Sequence, residues 1–404
     1  MSLILTRSPY FVSREDRDND ATIKLEIGYY EDGFNFYIEK TYNLAFRNNY
    51  LMDVSPFIRD YLGDRFIWSG SSGYSKYNRE LSKYVRITVS GSKGGVAQSD
   101  VISEYYATDG YLYSTDDYNK DFSSELKAKA YYAGSTDVVY KLDDSDIEIP
   151  LVNTFNKLIA DSPVADEKVY IFYKRNGIVV NRRVVTLSNE FSSSGVYIAS
   201  SVGQDDNLGD TNIVSYRYRV LEDSGFYEDN KCINDFFDKF KIEDYDEVFI
   251  SNESGDSHKL TVKTIEECKH KPYLVRFINR YGVYDNLWFF KRSDKSITVN
   301  KEVYRGNSIA MYSAGDGVKT MNHFNVNGKE KITLNSGFVD EEMNEAFRQL
   351  LLSEEVTLYD YKENKTYNVN LGTSELQYKQ HVNEKLINYA IEFEFAHEVI
   401  NNVG

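Results

Sequence analysis

The sequence contains little cysteine, little proline and no long apolar run. Its 404 residues include only 2 cysteines, Cys232 and Cys268, too few for a disulfide framework, so we expect folding in a reducing cytoplasm. With 5 prolines, the chain is not a proline-rich linker protein. No stretch approaches the roughly 20 apolar residues of a membrane helix, and the apolar run 1–5 is too short for a signal peptide. We therefore expect neither a membrane span nor a secretory signal.

The sequence also lacks an excess of positive charge. Its 63 acidic and 47 basic residues give a net charge of −16. Such a surface repels phosphate backbones, so we expect no direct role on nucleic acid.

Apolar and aromatic residues are plentiful. Hydrophobic residues make up 41% of the chain, which excludes wholesale disorder and is enough for several cores. The 35 tyrosines suit half-buried strands and protein contacts, because each combines a large apolar ring with a hydroxyl. The candidates for interface tyrosines are Tyr105, Tyr106, Tyr111, Tyr113, Tyr131 and Tyr132, although an ordinary sandwich core explains about half of such positions.

The N-terminal part reads as strands and turns. Residues 21–30 alternate between apolar and polar side chains and are followed by Asp32-Gly33 and a second alternating run, which predicts a hairpin. Residues 83–90 predict another strand. Between them, Ser55 as N-cap and Pro56 at the first helical position predict a short helix that ends before Gly63.

The middle of the chain contains a strong hairpin signal. Asn176-Gly177, between strands at 168–173 and 178–187, is typical of a type I′ turn. Residues 192–210 predict a mobile loop and residues 212–221 a strand. The spacing of Ile233, Phe236, Phe237 and Phe240 predicts a short helix at 232–241.

The C-terminal part contains the most regular patterns. Residues 271–290 predict a hairpin around Arg280-Tyr281-Gly282, and residues 339–355 predict a helix that packs on the last strand. In that last strand, one face carries Ile387, Tyr389, Ile391, Phe393 and Phe395. Because so long a strand needs neighbours on both edges, we expect partners from other copies of the chain.

These patterns predict a mainly β protein with tandem β-sandwich-like domains and a small α+β domain after them. We place the first domain at 1–150 and the second, which could be a distant duplicate of the first, at 151–310. A linker at 311–330 then leads to the C-terminal domain at 331–404.

No constellation of catalytic residues is present, so we predict no enzyme activity and no cofactor or metal. The densest metal-like group is Glu266, Glu267, Cys268 and His270, with His258 upstream, but its spacing does not suit a structural zinc site. Asp205, Asp206, Asn207 and Asp210 lack the order of a calcium loop. Glu392 and Glu394 lie on the outer face of a strand, where alternation alone places polar residues.

Several segments resemble uncharacterised structural proteins of tailed bacteriophages, in particular phages of Bacteroidetes or of marine samples. The resemblance is one of pattern over the whole length, and it implies a virion component without a cofactor or active residues. The similar segments are residues 6–10, 53–62, 272–282, 287–290, 332–338 and 385–396.

The resemblance and the absence of catalytic motifs favour a tail-associated protein of the tail, baseplate or neck. We expect it to bind copies of itself, as a homo-oligomer or ring, and other virion proteins. The alternative is a receptor- or carbohydrate-binding module, in which exposed tyrosines and tryptophans stack on sugars. An exopolysaccharide-degrading enzyme is disfavoured because paired carboxylates are missing.

Overall fold

The computed structural model of the chain shows a mainly β protein, as the sequence predicts. Its contacts divide the chain into two units: residues 1–266 with 278–286, and residues 267–277 with 287–404. The structure describes residues 2–14, 16–31, 35–46, 51–62, 82–119, 137–142, 147–152, 167–187, 196–200, 245–252, 257–267, 269–305, 321–363, 365–375 and 386–400.

The first unit begins with a β-sandwich. Its larger sheet has the order β1-β9-β6-β3-β4, in which β1 is parallel to β9 and the other pairs are antiparallel. A separate sheet pairs β2 with β5, and β7 pairs with β8 in a small hairpin. The elements are β1 (Ser2–Leu5), β2 (Phe11–Ser13), β3 (Thr22–Glu31), β4 (Asn35–Ala45), β5 (Leu51–Asp53), α1 (Ser55–Arg59), β6 (Ser82–Ser90), β7 (Ser92–Lys93), β8 (Val96–Ala97) and β9 (Val101–Thr108).

The core of this sandwich follows the alternation predicted for residues 21–30. Ile23, Leu25 and Ile27 of β3 are fully buried, and Val12 of β2 joins them from the smaller sheet. The short helix is confirmed, but its cap is not Ser55. Asp53 Oδ1 accepts from the Ser55 backbone N–H at 3.0 Å and from the Ser55 hydroxyl at 2.7 Å. Ser55 is instead the first helical residue, so the N-cap is Val54 and the helix begins one position earlier than predicted.

A second sheet in the first unit has the order β10-β16-β15-β12-β13, with β10 parallel to β16, and β11 pairs separately with β14. The hairpin at Asn176-Gly177 is confirmed: their φ angles are 51° and 77°, as a type I′ turn requires. The strands are β10 (Val138–Leu142), β11 (Glu148–Val152), β12 (Glu167–Arg175), β13 (Ile178–Leu187), β14 (Val196–Ser200), β15 (Glu247–Asn252) and β16 (Ser257–Ile265).

The two halves of the first unit share one topology. In each, the first strand is parallel to the last, two hairpins complete the larger sheet, and the second strand pairs with the fifth in a separate sheet. This is the strand order of an immunoglobulin-like sandwich, in which a sheet with strands C, F and G faces one with strands B and E. Since seven strands correspond in order and direction, the structure supports the expected duplication.

The second unit is built on a seven-stranded sheet with the order β18-β17-β22-β23-β25-β20-β19. β17 and β18 form the predicted hairpin, whose turn at residues 278–286 belongs to the first unit. The elements are β17 (Tyr273–Ile278), β18 (Tyr284–Phe289), β19 (Asp294–Arg305), β20 (Met321–Asn335), β21 (Val339–Asp340), a 3₁₀ turn (Glu341–Met343), α2 (Asn344–Leu351), β22 (Val356–Asp360), β23 (Lys365–Leu371), β24 (Leu386–Ile387) and β25 (Ala390–Glu398).

The predicted helix at 339–355 is shorter in the structure, because α2 covers only residues 344–351. Its apolar face is buried as predicted through Met343, Ala346, Phe347 and Leu350, whereas Leu351 is half-buried. The Phe347 ring lies 4.8 Å from the Tyr389 ring and 6.1 Å from that of Phe289. The helix therefore packs on the segment between β24 and β25 and on β18.

The structure draws the domain limits differently from the sequence. β10 precedes residue 151 and β11 crosses it, but both pair with strands of the second sandwich. Residues 321–330, expected in a linker, form the first part of β20. The second unit begins at residue 267 and not at 331, because β17 pairs with β22 and β19 pairs with β20.

Two further expectations need correction. Part of the predicted loop at 192–210 forms β14, which pairs with β11. β25 has β20 on one edge and β23 on the other within its own chain, so it requires no neighbour from another copy. The predicted strand at 212–221, the helix at 232–241 and the turn at Asp32-Gly33 lie outside the described residues.

Candidate assembly interface

Strands β19 and β20 form a two-stranded ribbon whose apolar side chains are exposed. β19 lies at the edge of the seven-stranded sheet, and all 12 of its residues are exposed. It pairs with β20 from Asp294↔Thr333 to Arg305↔Met321. Only residues 329–335 of β20 lie between two strands, because β25 pairs with β20 from residue 329 onward. The part of the ribbon at 297–305 and 321–328 thus extends beyond the core.

One face of the ribbon continues the core face of the sheet. Ile332 and Leu334 of β20 are buried, and Ile332 lies opposite Lys295 of β19. Since side chains alternate along a strand, every second residue of β19 from Lys295 onward shares that face. A Cβ at Gly328 would meet the Ile297 side chain at 3.1 Å, which places Ile297 on the same face.

A bulge in the ribbon leaves this alternation intact on β19. The pairing shifts between Asn300 and Glu302, and Asn325 has a left-handed φ of 49°. β20 has two residues between Asn327 and Phe324, whereas β19 has only one residue between their partners Asn300 and Glu302. The extra residue of the bulge therefore belongs to β20. Met321, opposite Arg305, therefore lies on the same face as the odd-numbered residues of β19.

The resulting surface, here called the ribbon face, alternates aliphatic and basic side chains along β19. On β20, Glu330 and His323 share this face, because they lie opposite Ile297 and Val303. Four apolar side chains are about half exposed: Ile297 53%, Val299 50%, Val303 47% and Met321 58%. Lys295, Lys301 and Arg305 lie between and beside them on β19. Among the described residues, no carboxylate forms an ion pair with Lys301 or Arg305. Exposed aliphatic groups beside basic ones, in a chain of net charge −16, make this face a candidate binding surface.

The opposite face of the ribbon is mainly polar but carries an aromatic pair, and its side chains contact one another. The Tyr304 and Phe324 rings meet edge to face at 5.4 Å, and Asn325 Nδ2 donates to Glu302 Oε1 at 3.1 Å. These contacts fix the strands of the ribbon relative to each other. The ribbon is consequently a structured element that holds its apolar face in water.

Among the described members of the metal-like group, Glu267 forms an ion pair, and Cys268 lies outside the described residues. The Glu267 side chain is 5% exposed and accepts from Lys291 Nζ at 2.7 Å and from the backbone N–H groups of Lys269 and His270. The Lys291 hydrogen bond, with these two backbone donors, lowers the pKa of Glu267 from 4.5 to about 2. His258 Nε2 lies 2.6 Å from Asp137 Oδ1. Within the described ranges, no three metal-ligating side chains come together.

The two carboxylates of the last strand face lysines of β20. Lys331 Nζ lies 2.9 Å from Glu392 Oε1, and Lys329 Nζ lies 2.9 Å from Glu394 Oε1. The Lys329 hydrogen bond lowers the pKa of Glu394, whereas a general acid of a glycosidase requires a raised pKa. These side chains serve as cross-strand ion pairs. The calcium-like group at 205–210 lies outside the described residues.

The candidate interface tyrosines separate into two groups. Tyr106 and Tyr111 are buried, and Tyr105 and Tyr113 are half-buried. Tyr131 and Tyr132 lie outside the described residues. None of the described four is a fully exposed contact residue. The ribbon face was missed by the sequence analysis, although the alternation of Lys295, Ile297, Val299, Lys301, Val303 and Arg305 is a signal for it.

The comparisons with known proteins identify no relative: no family model, no curated protein and no solved structure matches the chain. In the part of the chain that the structure describes, no helix has the length and apolar character to cross a membrane.

Proposed function

We propose that this chain is a structural protein of a tailed-bacteriophage virion. In this proposal it binds copies of itself and neighbouring virion proteins in the tail, baseplate or neck, and it acts after synthesis in the host cytoplasm. The observation that carries the proposal is the ribbon face, because a stable edge ribbon with exposed aliphatic side chains is a binding surface. The resemblance of six segments to phage structural proteins supports the same function.

The fold is consistent with such a role. Tandem sandwiches with a shared topology and a sheet with a protruding ribbon provide surfaces for protein contacts on rigid elements. The carboxylates that a sugar-cleaving reaction would need are engaged in ion pairs, as Glu394 is with Lys329. Binding therefore accounts for the described residues better than catalysis.

A carbohydrate-binding module remains the second candidate, and exposed Tyr118 and Phe338 favour it. Trp288, however, is buried, so it offers no stacking surface to a sugar. Binding of the purified chain to host glycans with about micromolar Kd would favour this candidate over the structural one.

The test of the proposed function is the composition of purified particles. Mass spectrometry of gradient-purified virions from the phage that encodes the chain should detect it at a fixed stoichiometry to the other tail proteins. Its detection only in the infected-cell lysate, and not in the particles, would contradict the proposal.

A further inference from the structure

The second unit presents an acidic segment that includes helix α2, in addition to the basic ribbon face. Only Glu345 of its carboxylates lies in α2 itself, where it forms an ion pair with Arg348 at 3.6 Å. Residues 340–355 contain six carboxylates, and Arg348 is their only basic residue. They are Asp340, Glu341, Glu342, Glu345, Glu354 and Glu355.

The outer side of α2 combines this charge with an apolar group. Met343, Phe347 and Leu350 turn one side of the helix toward the core. Helical spacing therefore places Glu341, Glu345, Arg348 and Leu352 along the outer side, with Glu342 beside them. Leu352 is 43% exposed. We call this surface the helix face.

The two surfaces are complementary in charge and similar in apolar content. The ribbon face presents Lys295, Lys301 and Arg305 around four aliphatic side chains, and the helix face presents carboxylates around Leu352. Complementary charges steer association and disfavour wrong partners, while apolar burial supplies affinity. A basic face on a chain of net charge −16 has an acidic counterpart on other copies of the same chain.

We infer that the ribbon face of one copy binds the helix face of a second copy. This inference rests on the proposed function and specifies its partner. The contact joins two different surfaces, so its repetition gives a reciprocal dimer, a ring or an open helical filament.

Charge reversal on each surface tests the inference in the full-length chain. One variant carries Lys301→Glu and Arg305→Glu, and the other carries Glu341→Lys and Glu342→Lys. Sedimentation velocity should show that the wild type self-associates and that either variant alone does so with a Kd raised roughly tenfold or more. Raising the salt concentration should also weaken the wild-type association.

Mixing the two variants gives the decisive result. In a mixed pair, the acidic ribbon face meets the basic helix face, and the unchanged basic ribbon face meets the unchanged acidic helix face. The mixture should therefore associate with an affinity close to that of the wild type. A control variant with Lys40→Glu and Lys93→Glu makes the same change in net charge as the ribbon-face variant, but at exposed lysines of the first sandwich. This control should leave association unchanged.

Three outcomes would overturn the inference. In the first, the wild type stays monomeric at about 100 μM, well above micromolar affinity. In the second, the control variant weakens association as much as the charge-reversal variants do. In the third, the two charge-reversal variants weaken association and mixing them does not restore it. Circular dichroism and thermal unfolding of each variant separate loss of binding from loss of folding. If the chain is found in purified virions while the mixture fails to associate, the proposed function stands and the partner assignment is wrong.

Discussion

At the scale of single residues, two glycines pack backbone against backbone in the first unit. Tyr111 N–H donates to the Arg280 carbonyl at 2.8 Å, and the Thr108 hydroxyl donates to the Tyr281 carbonyl at 2.8 Å. A Cβ on Gly282 would lie 2.7 Å from the Gly110 nitrogen, and φ at Gly282 is 74°. Both the turn and the close approach therefore require glycine.

Replacing Gly282 by alanine should destabilise the first unit more than the backbone strain alone explains. Gly177→Ala is a matched control, because Gly177 has a similar φ of 77° but nothing within 4 Å of a Cβ. We expect a loss of about 1 kcal/mol for the control and about 2 kcal/mol more for Gly282→Ala, measured by urea unfolding. Equal losses for the two variants would show that the glycine contact contributes nothing.

The ion pair of Glu267 and Lys291, in which the Glu267 side chain is 5% exposed, predicts a pH dependence. Because the pKa of Glu267 falls from 4.5 to about 2 on folding, its carboxylate stabilises the folded chain above pH 4.5. That stabilisation is lost as the pH falls from 4.5 toward 2. The loss of unfolding free energy caused by Glu267→Gln should thus be largest near neutral pH and become smaller in acid.

Urea unfolding of the wild type and Glu267→Gln at a series of pH values provides the measurement. Glu330→Gln is the control, since Glu330 is exposed and forms no ion pair among the described residues. A difference between wild type and Glu267→Gln that is independent of pH down to about 3.5 would contradict the pKa assignment.

Individual residues in the sequence predicted local backbone structure, but they did not predict contacts between distant segments. Asn176-Gly177 identified its turn because its two left-handed φ angles depend on those two residues alone. The turn at Gly282 was also predicted, but its packing on Thr108 joins residues 173 positions apart, which no local pattern encodes. The start of helix α1 was misplaced by one residue for a similar reason: Asp53, just before the N-cap Val54, accepts both from the Ser55 N–H and from the distant Tyr10 N–H, each at 3.0 Å.

At the scale of secondary-structure elements, α2 provides the most direct stability test. Phe347 is 1% exposed and contacts the rings of Tyr389 and Phe289. Phe347→Ala should cost about 3–5 kcal/mol because it leaves a cavity in a packed aromatic cluster. Leu352→Ala, at a position 43% exposed, should cost less than about 1 kcal/mol.

Denaturant unfolding, read by tryptophan fluorescence and circular dichroism, measures both losses. A cost below about 1 kcal/mol for Phe347→Ala would mean that this side of the helix is not part of the core.

The buried face of a strand could be predicted from the sequence where only one of its faces is buried, but not elsewhere. The face of Ile391, Phe393 and Phe395 was identified because strict alternation reports burial on one side. The same pattern says nothing about edges, so the expected neighbour from another copy was wrong, and β20 and β23 occupy both sides. The ribbon face was missed because exposed aliphatic residues in a strand have the same pattern as buried ones.

At the scale of the whole molecule, the duplicated topology of the first unit was only weakly visible in the sequence. Strand order depends on long-range pairing, such as β1 with β9 and β10 with β16, and not on residue identity at fixed spacing. The limits of the second unit were missed for the same reason, because β17 pairs with β22 across more than seventy intervening residues.

A structural role predicts that the purified chain has neither hydrolase activity nor a bound metal ion. The reason is that Glu267 and His258 are paired with Lys291 and Asp137, and that no three metal-ligating side chains come together among the described residues. Elemental analysis of the dialysed protein should find less than stoichiometric zinc and calcium. One tightly held ion per chain would contradict this prediction.

The measurement that tests the central claim most directly is a cryo-EM reconstruction of the intact particle with density for this chain assigned. The account predicts several copies related by the symmetry of the tail, baseplate or neck, with Ile297, Val299 and Val303 of the ribbon face buried against a neighbouring protein. Single isolated copies with the ribbon face in solvent, or particles without the chain, would contradict it.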